Sequence, residues 1–159
     1  MIERYLLILH DGLDKKKDIL NAIMAQNEIQ EEALRTTPDW DAFENAIAKK
    51  EFYIQEILKL DEGFDGIYER IKAALADPNS LTLHQQNIRL LQNKIREVTD
   101  LGVKVEVSEK RNKIRVEQIF RDEKNKLKQG MRSTKVATDY YKTMSQLNFV
   151  DPQLMDQKH

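Results

Sequence analysis

Four clusters in this chain have residue types that could do chemistry, and each can be tested against the spacing that chemistry requires. The phrase LDEGFDGIYERIK, residues 60–72, invites comparison with a calcium loop. Such a loop needs oxygen ligands at its first, third and fifth positions, glycine at the sixth and a bidentate glutamate at the twelfth. Asp61, Asp65 and Gly66 fit, but the third position is Gly63 and the twelfth is Lys72, which would bring a positive charge to the ion. The phrase is not a calcium site. His10, Asp11 and Asp14 share one helical stretch, and ligands confined to one exposed helix seldom complete a metal site. Glu106, Glu109 and Glu117 stand in sequence among lysines and arginines, with nothing there to raise a carboxyl pKa for general acid work. His84 reads as a packed histidine near a helix start. With no glycine-rich phosphate loop and no cysteine, thiolate catalysis, thiolate zinc and disulfides all drop out. No cofactor, metal or catalytic set is expected, and binding is the activity left.

The elements that would position a binding surface are long helices. Hydrophobic residues make up 40 % of the 159 residues and charged ones 33 %, while 5 glycines and 3 prolines are too few for many tight turns. Apolar residues recur by threes and fours along three seams. The first runs Ile2, Leu6, Leu9, Leu13, Lys16, Leu20, Ile23, Asn27, Gln30, Leu34. After the break RTTPDWD, with Thr37 as expected N-cap and Pro38 as first helical residue, the second runs Trp40, Phe43, Ile47, Lys50, Ile54, Ile57, Asp61, Phe64, Tyr68, Ile71, Leu75. Its register passes unbroken through Gly63 and Gly66, so residues 60–72 are expected to be helical. The two glycines mark either a close helix contact, a bend or soft turn, or merely tolerated surface positions.

After ADPNS, with Ser80 as expected cap, the third seam reads Leu81, His84, Ile88, Leu91, Ile95, Val98, Gly102, Val105, Glu109, Asn112, Val116, Ile119. The alternating valines of VKVEV would suit a strand, but no second strand is available to pair with it. KNKLKQG places lysines before Gly130, the pattern of a helix end. Residues 131–147 then form a shorter helix. The polar seam positions Lys16, Asn27, Lys50, Asp61 and Asn112 read as register-setting devices or as loose points of the bundle. The expected fold is all-α: an elongated antiparallel coiled-coil hairpin of helices 39–77 and 81–129, with the first helix alongside as a three-helix bundle. Residues 1–130 form that bundle, and residues 131–159 a short helix and flexible tail.

Charge is segregated beneath a net value of −1. Residues 28–77 hold 13 Asp/Glu against 6 Lys/Arg, a balance of −7; residues 104–135 hold 11 Lys/Arg against 5 Asp/Glu, a balance of +6. Compensation between neighbouring helices is the favoured explanation. The basic stretch has a single aromatic residue, Phe120, and so lacks the stacking platform of a single-strand nucleic-acid binder. No apolar run approaches the roughly 18 residues of a membrane span, and the first residues lack a secretory leader's basic start and cleavage site. A cytoplasmic protein that binds neither nucleic acid nor membrane is expected.

FENAIAKKEFYIQEILKLDEGFDGIYERIK at residues 43–72, EKRNKIRVEQIF and the ending DYYKTMSQLNFVDPQLMDQKH together resemble flagellar export chaperones of the FlgN type, over most of the chain. The related chaperone of the filament-cap protein shares the helical-hairpin plan. The resemblance implies a chaperone that binds terminal helical segments of hook-filament junction proteins, with the filament-cap protein as a second candidate substrate, and hands them to the flagellar export gate. It implies that the third long helix and the tail face the substrate. The candidate contacts there are Val116, Ile119, Phe120, Tyr140, Tyr141, Met144, Leu147 and Phe149. Two roles stay open for the tail: a grip on a partner, or a short helix that folds back into the groove of the bundle. The alternative function is a structural coiled-coil adaptor or homodimeric scaffold.

Overall fold

The computed structural model of the chain describes residues 1–122 and 127–146, and the side chains of all of these except residues 127–132. Among the described residues every regular element is a helix: α1 Ile2–Ala33, α2 Trp40–Ala76, α3 Pro78–Leu83, α4 Gln85–Asp122 and α5 Leu127–Met144. VKVEV lies inside α4, and the opening phrase of the calcium comparison lies inside α2. At 1.5 Å per residue the three long helices extend roughly 48–57 Å each.

The seams are the core. Leu6, Leu9, Leu13, Leu20 and Ile23 on α1 meet Phe43, Ile47, Ile54, Ile57, Phe64, Tyr68 and Ile71 on α2 and Ile88, Leu91, Ile95, Val98, Val105 and Val116 on α4, all buried. Leu81 departs from its expected seam and is 41 % exposed. A Cβ built on Gly63 or Gly66 meets nothing within 4 Å, so the helix passes two surface glycines and makes no close approach there.

The helix boundaries correct three expectations. Asp39, not Thr37, is the N-cap of α2, and its carboxylate accepts from the Ala42 amide at 3.1 Å. Asp77, not Ser80, caps the next helix: it accepts from the Ser80 amide at 3.3 Å with Pro78 in the first helical position. In both cases the carboxylate just before the first turn outcompetes a hydroxyl because it also meets the positive end of the helix dipole. That helix is only the six-residue α3, and His84 ends it before α4 begins. Finally, Gly130 does not stop a helix, since α5 runs across it from Leu127 to Met144. A glycine's helix cost of about 1 kcal/mol is outweighed by the burial of Ala137, Tyr140 and Met144 in the same helix.

α1 packs against both other long helices. Side-chain contacts fix the directions: Lys16 to Asp61 and Gln30 to the Phe43 carbonyl make α1 and α2 antiparallel. Asp14 to Lys94, Lys17 to Glu97 and Asn112 to the Asn27 carbonyl make α1 and α4 parallel. Among the described residues no Cα of α2 lies within 8 Å of one of α4, and α5 packs on α2 and α4 but not on α1. Over its length α5 therefore closes the side opposite α1, giving four helices in cross-section with α2 and α4 across a diagonal. The end of α1 is tied down by Arg115, whose Nε donates to the Leu34 carbonyl at 3.0 Å and satisfies an otherwise orphan acceptor.

Candidate functional site

The residues first suspected of chemistry are dispersed. His10 bonds Asn87 at 2.6 Å, Asp11 pairs with Lys15 at 3.0 Å, and Asp14 pairs with Lys94 at 3.0 Å. Among the described residues no group of three potential ligands could hold a metal ion. His84 is buried at the α3–α4 junction, as a packed histidine.

The polar seam residues, by contrast, come together in pairs. Lys16 reaches Asp61 at 2.7 Å between α1 and α2. Near the other end Lys50 of α2 is fully buried, and its ammonium donates to Asn27 Oδ1 at 2.7 Å, to Gln30 Oε1, and to Glu109 at 3.0 Å. Three N–H groups thus find three acceptors on α1 and α4. The ring of Tyr140 on α5 covers the ammonium, with its centroid 4.3 Å from Nζ, and the Tyr140 hydroxyl donates to Glu109 at 2.6 Å. All four helices contribute to this one layer, which Asn112 extends. Glu109 corrects the sequence reading. It lies buried at a seam position between Val105 and Asn112 instead of among the surface cations, and the seam spacing was the signal for it.

Burial shifts the titrations in this layer. It pulls the Lys50 ammonium down to about 8, with Glu109 pulling the other way. Burial, followed by the nearby Glu109 charge, holds the Tyr140 and Tyr141 phenols well above the ordinary tyrosine range. Every side chain of the layer is buried, and its hydrogen bonds and ring contact tie α1, α2, α4 and α5 to one another.

An accessible concave surface lies beside it, between α4 and α5. This groove of about 590 Å³ has an apolar floor of Val116, Phe120, Ala137 and Tyr141. Phe120 is held by stacking on Trp40, with ring centroids 5.2 Å apart. Along the rim stand Lys113, Arg121 and Lys142 against Glu117. Of the candidate contact residues, Val116, Phe120 and Tyr141 line the groove, while Ile119, Tyr140 and Met144 are buried in intrachain packing. Leu147 and Phe149 lie outside the described residues. The three rim cations were not singled out from the sequence, although they sit three and four residues from lining positions on the same helix faces; Ala137 is on the face expected for the last helix, with Tyr141 and Met144.

Comparison of the chain with family models, with curated proteins and with solved structures gives no match.

Proposed function

We propose that the protein is a cytoplasmic export chaperone that binds a terminal helical segment of a flagellar hook-filament junction protein and presents it to the export gate, with the filament-cap protein as the second candidate cargo. The bundle in which α1 and α5 bridge the antiparallel helices α2 and α4 serves as its scaffold. The observation that carries the reading is the spacing of the groove walls. Lining residues recur at 113, 116, 117, 120 and 121 on α4 and at 134, 137, 138, 141, 142 and 145 on α5. That is the three-and-four periodicity with which a helix receives another helix, so an amphipathic segment laid into the groove continues the bundle. The resemblance of the sequence to the FlgN-type chaperones supplies the cargo class.

Titration calorimetry of the purified chain with synthetic terminal segments of junction and cap proteins tests the reading. A stoichiometric complex with one of them, weakened by Phe120→Asp, is the expected result. A chain that forms a stable dimer and binds no segment would instead establish the alternative, a homodimeric scaffold.

A further inference from the structure

We infer that the helix received between α4 and α5 is an acidic one, an amphipathic helix of another protein with carboxylates flanking its apolar ridge; the inference rests on the helix-binding reading of this groove. Two independent observations point to that chemistry. The rim presents Lys113, Arg121 and Lys142 against a single Glu117, all four exposed, and none of the three cations has an ion-pair partner among the described residues. The neighbouring exposed cation Lys110 is different, being paired with Glu106 along its own helix. Unpaired cations on both walls leave a positive rim around an apolar floor, and that arrangement selects partners by charge and speeds their encounter.

The second observation is at the floor. The ring of Tyr141 lines the groove, and its hydroxyl is buried with no hydrogen-bond partner among the described residues. A buried donor without an acceptor is costly and uncommon. Glu117, the one carboxylate among the lining residues, does not accept from it. A side-chain carboxylate of an incoming helix, reaching past the ridge, supplies the missing acceptor as the groove opens to admit it. The lined stretch from Thr134 to Ser145 spans 12 residues, whose ends are roughly 17 Å apart at 1.5 Å per residue. About three turns of partner helix fill it.

Fluorescence anisotropy with two labelled three-to-four-turn peptides of identical apolar ridge, one flanked by glutamates and one by lysines, decides the matter. The acidic peptide should bind about tenfold more tightly, the effect of two or three surface charge pairs, and the difference should shrink as salt is raised. Arg121→Glu combined with Lys142→Glu should reverse the preference, and Tyr141→Phe should weaken the acidic peptide alone. Both cations are exposed, so the charge-reversed variant keeps its fold, which circular dichroism checks. Equal affinity for the two peptides, or a preference unmoved by charge reversal, overturns the inference. If a junction-protein segment binds the chain and that affinity is untouched by the charge-reversed variant, the acidic-helix inference falls while the chaperone reading stands. If neither peptide nor any junction segment binds, both fall.

Discussion

Lys50 is the residue on which most of the molecule's internal chemistry turns. Its charge is buried, yet each of its three N–H groups has an acceptor and its fourth side is covered by the Tyr140 ring. Replacing one member of such a set strands the others. Lys50→Met leaves Glu109 buried beside Asn27 and Gln30 with no cation, and should cost about 3–5 kcal/mol by urea denaturation. Tyr140→Phe keeps the ring but removes the hydroxyl that donates to Glu109. The expected loss is about 1.5–3 kcal/mol, the range for hydrogen bonds to charged groups. The layer also sets the response to pH. An unfolded lysine keeps its ordinary value of 10.5 while the folded one sits at about 8. Between those values the unfolded chain holds more protons, so stability rises with pH across that window. Tyr140 and Tyr141 act oppositely. Their folded values are raised above the ordinary 10, so above pH 10 only the unfolded chain loses those protons and stability falls. Denaturation midpoints measured from neutral pH upward should therefore climb from pH 8 and turn over near pH 10.

Among the elements, α2 shows how a continuous seam overrides local weakness. Gly63 and Gly66 sit in its interior on the open side, with negative φ and no atom near their absent Cβ. Substituting alanine at either should stabilise the protein by about 1 kcal/mol, seen as a raised urea midpoint. On the opposite face Phe64 is 8 % exposed, and Phe64→Ala should cost about 3–5 kcal/mol. Opposite signs at adjacent positions of one helix would show that burial governs this stretch. The glycines contribute only their propensity cost.

For the whole molecule, α5 is the element whose removal distinguishes a bundle of three helices from one of four. α1 touches both α2 and α4 and can hold them together without it. α5 nevertheless buries Ala137, Tyr140 and Met144 and, through Ser133, bonds Glu44 at 3.1 Å. A chain ending at Asp122 should keep its helical circular dichroism and melt at a lower temperature. With Tyr140 and Tyr141 gone, the fall in stability that these two phenols cause above pH 10 should be lost with them. Collapse of the helical signal on truncation would show that the three long helices do not stand alone.

Much of this was written in the one-dimensional pattern. The three seams, the helical character of residues 60–72 and the burial of Lys16, Asn27, Lys50 and Asn112 follow from a periodicity that any long helix must obey to bury one face. The identity of the capping residues did not follow, because a hydroxyl and a carboxylate a few positions apart offer the same local signal and their geometry decides. Nor did the pairing of Lys50 with Glu109, 59 residues away. Each residue was visible as a position along the chain, but which helix faces which is fixed only when the side chains of all four pack together. The groove has the same origin: its floor combines Phe120 from one helix with Tyr141 from another, and its charge arises from cations on both walls. A sequence determines which face of a helix is apolar, whereas the neighbour that covers that face, and the strip left uncovered, are properties of the assembled bundle alone.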